Sequence, residues 1–239
     1  MKPLDLNGAV IDSFSYDAPG QPDADFHALC DADTPLVLVF FPNIGHPISR
    51  VYLTRYKNTL SQLTAGRLAC VVRTPAKVAE EKLPAGYPLY FICDPDADIY
   101  DSLAVQTTTS RMRWSMEAAR IFREAKKLGF VLDKKAPQIL PLTLVLGRGG
   151  KVLFYHYGES LTDLPEDCRA IQRICEKLAL PETQRPPVQA VCPQSPAAAQ
   201  VPAAPAQEPE NQPENDTAAN LDETQQLDLT GWLDHTENG

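Results

Sequence analysis

The first 180 residues alternate between short apolar runs and longer stretches of mixed apolar and polar residues. The continuous apolar run at residues 36–41 predicts a strand buried on both faces of a sheet, and residues 67–73 and 89–93 predict two further strands. Helices are predicted over residues 47–63, from residue 75 onward, over 99–103 and over 165–178. Residues 142–146 and 151–155 flank the glycine turn at 147–150 and predict a β-hairpin. This order predicts one α/β domain with a mixed sheet over residues 1–180.

A further helix is predicted between the third strand and the hairpin. Its apolar residues recur at steps of four, three, four and three and therefore share one face: Trp114, Ala118, Ile121, Ala125 and Leu128. Basic residues fall on the opposite side: Arg113, Arg120, Arg123 and Lys127. This basic side suits an anionic membrane or the acidic tail of the chain. The favoured interpretation is the solvated face of a packed helix.

The composition changes abruptly at residue 181. Residues 181–239 hold ten Asp and Glu, one Lys or Arg, and nine of the 22 prolines. Such a segment buries too little apolar surface to offset the entropy of ordering, so we predict a disordered acidic tail. Apolar residues cluster among acids near its end: Leu227, Leu229, Trp232 and Leu233. Incidental apolar residues are the favoured interpretation, and a short docking motif is the alternative.

Charge and cysteine usage exclude several classes. The net charge of −9 belongs to the tail, since the first 180 residues carry 21 acidic and 21 basic groups, which argues against a nucleic-acid partner. No apolar stretch approaches the ~18 residues of a membrane span. The six cysteines form no C-x-x-C pair, so we expect free thiols in a reducing cytoplasm. The scattered histidines predict no metal site, and no motif predicts a cofactor.

The segment Phe40–Arg50 reads as a buried strand, a short glycine loop and a Pro-x-x-Arg helix start. It resembles the active-site segment of the peroxiredoxin-like branch of the alkyl hydroperoxide reductase/thiol-specific antioxidant family. The Asp-Pro turn at 94–100 and the Pro-x-Thr hairpin at 141–152 are similar to that family in order and spacing. The resemblance spans about residues 5–180 and implies a thioredoxin-like fold. It leaves a homodimer open, since peroxiredoxins often dimerise.

The chain departs from this family at the active site, because both cysteine positions of the family segment hold other residues. The family segment typically reads Gly-Cys-Pro-Phe-Cys-Arg, whereas His46 and Ser49 occupy the two cysteine positions here, beside Pro47 and Arg50. By the same resemblance Pro141 is expected to be a cis-proline facing the helix, with Thr143 in the same groove. A hydroxyl stays protonated near neutral pH and does not run the sulfenate–disulfide cycle. We therefore expect lost peroxidase activity and a groove or tail that binds a protein or peptide.

Two enzymatic alternatives remain open in the sequence. A thiol peroxidase or oxidoreductase with a relocated cysteine is one, with Cys93 and Cys70 as the nearest candidates, although cysteines in core strands usually act as small apolar residues. His46 and Ser49 as base and nucleophile of a hydrolase are the other. The simpler interpretation is that both side chains satisfy backbone donors at the helix start. Cys168 and Cys175 are expected on one face of the last helix, too far apart to pair.

Overall fold

The computed structural model describes residues 2–131 and 137–179. The predicted tail at 181–239 lies outside these residues, together with Cys192 and the apolar cluster near the chain end. The boundary between domain and tail therefore remains a prediction.

A mixed sheet of seven strands forms the centre of the described residues, in the order β2-β1-β5-β4-β3-β8-β9. Its strands are β1 (Ser15–Ala18), β2 (Gln21–Asp25), β3 (Leu36–Phe41), β4 (Arg67–Val72), β5 (Tyr90–Cys93), β8 (Leu142–Leu146) and β9 (Val152–Tyr157). A separate small ladder pairs β6 (Thr107–Thr108) with β7 (Gln138–Ile139). Strands β3, β4 and β5 run parallel, while β8 pairs antiparallel with β3 on the other side.

Helices cover both faces of the sheet. They are α1 (Phe26–Cys30), α2 (Pro47–Thr59), α3 (Ala76–Lys82), α4 (Asp98–Ser102), α5 (Met116–Lys127) and α6 (Cys168–Ala179). The central strand β3 is buried on both sides, because Val37, Val39 and Phe41 join the core under α2, α5 and α6. Leu36, Leu38 and Phe40 join the core on the side of α1 and α4. This double burial explains the continuous apolar run in the sequence.

The structure confirms the α/β fold and the order of elements predicted after residue 35. Helix α2 begins at Pro47 as predicted and ends in a 3-10 turn at Leu60–Gln62. The last helix begins at Cys168 rather than near residue 165. The sequence interpretation missed β1, β2 and α1, because β2 carries the polar sequence Gln-Pro-Asp-Ala-Asp at the edge of the sheet. Across residues 2–131 and 137–179, no helix combines the length and the hydropathy needed to cross a bilayer.

Gly158 follows β9 at a close approach of three chain segments. Its N–H donates to the Pro141 carbonyl at 2.7 Å. A methyl group added here would meet the Pro141 ring at 2.7 Å and the Asp163 carbonyl oxygen at 2.8 Å, and backbone atoms yield little.

We expect Gly158→Ala to lower the free energy of unfolding by about 1–3 kcal/mol, because the added methyl overpacks this contact. Urea unfolding measures the change. Gly45→Ala is the matched control, since the nearest atom there is Asn43 Oδ1 at 3.4 Å, an ordinary contact. Equal stability of the two variants would contradict this packing.

Candidate active site at the start of α2

The loop after β3 and the first turn of α2 hold four predicted site residues: His46, Pro47, Ser49 and Arg50. Hydrogen bonds from two backbone N–H groups hold this loop in place. The Ile44 N–H donates to Thr74 Oγ1 at 3.1 Å, and the His46 N–H donates to the Asn43 carbonyl at 3.2 Å. Pro47 then fills the first helical position, where its missing N–H costs nothing. His46 is the residue preceding the helix, with extended backbone, and its side chain makes no capping hydrogen bond.

Ser49 lies in the first turn of α2 and is fully buried. Its Oγ has no hydrogen-bond partner within the described residues. The interpretation that Ser49 and His46 satisfy backbone donors at the helix start is therefore wrong. A hydroxyl without a hydrogen-bonded base keeps its proton and is a poor nucleophile.

His46 is buried, with 9% of its surface exposed. Its Nε2 lies 3.3 Å from Gln138 Oε1, while Nδ1 has no hydrogen-bond partner within the described residues. Burial lowers the pKa of His46 from 6.5 to about 4, and the Gln138 bond opposes this only in part. At neutral pH the imidazole is therefore uncharged. It also forms no hydrogen bond to Ser49, since Ser49 Oγ has no partner within the described residues.

Aromatic side chains cover the imidazole. The Phe122 ring from α5 meets His46 edge to face at 5.5 Å, and the Phe130 ring does so at 6.3 Å. Trp114 packs on Phe122 with ring centroids 4.9 Å apart.

The predicted apolar face of α5 is confirmed for Ala118, Ile121 and Ala125, which are buried, but Leu128 is 45% exposed. Phe122 replaces it in the core, and its +4 spacing from Ala118 was the available signal.

A network of polar side chains fixes α5 against α2. Glu117 on α5 accepts a hydrogen bond from Arg55 at 2.8 Å and from the Tyr52 hydroxyl at 3.2 Å. The Tyr52 hydroxyl lies 3.1 Å from the Thr162 carbonyl. Burial and the nearby Glu117 charge raise the pKa of Tyr52 to about 12, so this hydroxyl stays protonated. These contacts hold α5, and with it Phe122, against α2.

Pro141 and His46 line the same small cavity, as the resemblance predicts. The cavity volume is about 10 Å³, with walls that include Ile139, Leu161 and Leu164. That is about the space of one water molecule. The Leu140–Pro141 peptide bond is trans, so the expectation of a cis-proline is wrong.

The remaining predicted residues lie around this cavity rather than in it. Thr143 lies on β8 and pairs with Val39 on β3. It is buried, and its Oγ1 has no hydrogen-bond partner within the described residues. Arg50 lines a separate cavity of about 40 Å³ between α2 and the chain after α3, with Lys82 and Tyr87. The structure therefore does not combine these residues into one open site.

The five cysteines of the described residues are all free and buried. Burial raises the pKa of each thiol: Cys30, Cys70, Cys93, Cys168 and Cys175. Cys168 and Cys175 share the buried face of α6 as predicted, and Cys168 Sγ donates to the Tyr56 carbonyl at 3.4 Å. A reactive cysteine needs the opposite shift, toward the thiolate.

Cys93 differs from Cys70 in its access to solvent. Cys70 is fully buried in β4, whereas Cys93 is 4% exposed and borders a groove of about 530 Å³ between the N-terminal segment and α4. Burial, and the nearby Asp17 charge, raise the Cys93 pKa to about 12. No pattern in the sequence predicts this groove, because the irregular segment 4–14 forms one wall. No cluster of potential metal ligands occurs within the described residues.

Comparison with known proteins places the fold. No family model matches the sequence, and no curated protein matches it. Reduced Prx3 from Vibrio vulnificus is 16% identical, covering 72% of this chain and 99% of its own at a TM-score of 0.51. A peroxiredoxin-like protein from Aquifex aeolicus is 10% identical to this chain. The match covers 74% of this chain and 90% of that protein, with a TM-score of 0.50. The described residues therefore have a peroxiredoxin-like thioredoxin fold.

Proposed function

We propose that this chain is a peroxiredoxin-fold protein without thiol peroxidase activity that acts as a binding or regulatory module. The observation that carries this proposal is Ser49, a sealed hydroxyl at the helix start where the resemblance expects a cysteine. The positive end of a helix lowers the pKa of a cysteine enough to supply a thiolate. It does not turn an alcohol into a redox centre.

A relocated redox cysteine is the competing hypothesis, and Cys93 is its best candidate because it borders an open groove. The raised thiol pKa opposes it, since a group with a pKa near 12 is almost entirely protonated at pH 7. Cys70 is weaker still, because it is sealed within β4. Both facts favour structural roles for these thiols.

A hydrolase built on His46 and Ser49 is disfavoured by the hydrogen bonding. A catalytic base must take the proton of its nucleophile, but neither His46 Nδ1 nor Ser49 Oγ has a hydrogen-bond partner in the described residues. His46 Nε2 is already engaged by Gln138. Ser49→Ala is therefore expected to leave any ester cleavage unchanged.

The binding surface is not the predicted groove in its present form. A cavity of about 10 Å³ holds no peptide, since ligand pockets usually measure ~300–1,000 Å³. We place partner binding on the outer surface instead. A homodimer and a cytoplasmic location remain predictions.

A peroxide-consumption assay tests this proposal. Purified full-length chain, reduced and supplied with a thioredoxin or a glutathione reducing system, is expected to consume hydrogen peroxide no faster than the reducing system alone. An active peroxiredoxin in the same mixture is the positive control. Robust turnover that Cys93→Ser or Cys70→Ser abolishes would overturn the proposal in favour of a relocated thiol.

A further inference from the structure

The outward face of α5 and the 3-10 turn at Arg111–Arg113 before it carry a basic stripe, which we define as Met112, Met116, Arg120, Arg123 and Lys127. The last four residues lie at steps of four, three and four and share one side of the helix, opposite the buried Ala118, Ile121 and Ala125. Met112 and Met116 are 94% and 92% exposed. The stripe thus presents flexible apolar side chains and cations together, with no described element packed over the methionines.

The charge of this region is poorly balanced by its own surroundings. Residues 111–127 carry six basic and two acidic side chains. Glu117 is engaged by Arg55 at 2.8 Å, and Glu124 lies 3.7 Å from Lys127. Within residues 2–131 and 137–179, neither Arg120 nor Arg123 forms an ion pair. The stripe therefore retains a positive potential available to an anionic partner.

We propose that the basic stripe binds the acidic apolar segment at residues 227–234 of the same chain. That segment reads Leu-Asp-Leu-Thr-Gly-Trp-Leu-Asp, and residues 220–239 hold five Asp and Glu but no Lys or Arg. Its aspartates complement the arginines, and Trp232 with its leucines suits the methionines, whose soft thioethers pack well on aromatic rings. This proposal does not depend on the loss of peroxidase activity.

The length of the connecting chain permits this contact. The 47 residues between Ala179 and Leu227 have an r.m.s. reach of about 40 Å if they are as disordered as their composition predicts. A domain of ~180 residues has a diameter of about 40 Å, so the segment reaches any of its faces. The tether also supplies an effective concentration of about 1 mM, so even weak affinity gives substantial occupancy.

The test is an NMR spectrum of the ¹⁵N-labelled full chain, in which the indole N–H signal of Trp232 reports docking. Trp232→Phe separates this signal from that of Trp114. We expect it to lie away from the position of a free indole, and to move there in Arg120→Glu/Arg123→Glu and in 1 M NaCl, where screening is strong. Lys77→Glu/Arg173→Glu reverses two exposed charges elsewhere and is expected to leave the signal in place.

Two outcomes would overturn the proposal. One is a Trp232 signal at the free-indole position in the wild type. The other is a shifted signal that Arg120→Glu/Arg123→Glu leaves unmoved, since docking would then use another surface. If the protein instead co-sediments with phosphatidylserine vesicles through Arg120 and Arg123 while Trp232 stays free, the stripe is a lipid surface and the proposal is wrong.

Discussion

Lowering the pH from 7 to 4 is expected to destabilise the native protein by about 3 kcal/mol through His46 alone. Burial lowers the folded-state pKa of His46 to about 4, whereas the unfolded chain titrates near 6.5. Below pH 6.5 His46 therefore binds a proton in the unfolded state but not in the folded state. The free energy of unfolding falls by about 1.4 kcal/mol per pH unit until about pH 4. Above pH 7 the group contributes no pH dependence.

Urea unfolding of the wild type and of His46→Gln between pH 7.5 and 4 measures this effect. The variant is expected to show a shallower loss of stability on acidification, whatever its stability at neutral pH. His156→Gln is a control of opposite sign, because the Asp163 hydrogen bond raises the pKa of His156. Protonation of His156 stabilises the fold as the pH falls, so its removal steepens the loss. Parallel profiles for wild type and His46→Gln would show that His46 is not buried as described.

Phe122→Ala is expected to cost about 3–5 kcal/mol, the range for removing a buried aromatic side chain. Phe122 is 7% exposed and contacts Trp114, Phe130 and the edge of His46. Its removal also opens a path for water to the imidazole, so the pKa of His46 should rise toward 6.5. Urea unfolding gives the stability, and the NMR titration of the His46 ring proton gives the pKa.

Lys126→Ala provides the comparison on the same helix, since Lys126 is exposed and alanine is an equally good helix former. We expect that change to lie within about 0.5 kcal/mol of the wild type and to leave His46 unaffected. A Phe122→Ala variant that is destabilised but keeps the low His46 pKa would mean that other groups seal the imidazole.

The sequence predicts the parts of this fold whose pattern is local. The run at 36–41 predicts β3 because every side chain there is buried, and Pro47 predicts the start of α2 because proline is favoured at that position. Strand β2 escapes prediction because its pairing with β1 at the sheet edge, rather than its own polar residues, makes it a strand. The resemblance predicts the thioredoxin-like fold, and the structural comparisons bear this out.

The site is harder to predict, because its character depends on contacts between distant segments. His46, Phe122 and Gln138 are separated by 76 and 16 residues, and no pattern within either interval indicates that they meet. The burial of the His46 imidazole follows from that meeting. The burial of Ser49 follows from the packing of α2 on the sheet, whereas the sequence indicates only that a helix begins at Pro47.

We propose that the described residues hold no thiol able to attack a peroxide. Brief exposure of the reduced full-length chain to one equivalent of hydrogen peroxide with dimedone, followed by peptide mass spectrometry, tests it most directly. Cys192→Ser confines the readout to the five buried cysteines. We expect no rapid dimedone adduct on any of them in the native protein, and slow uniform labelling once urea unfolds it. A fast, selective adduct on Cys93 or Cys70 would contradict the account.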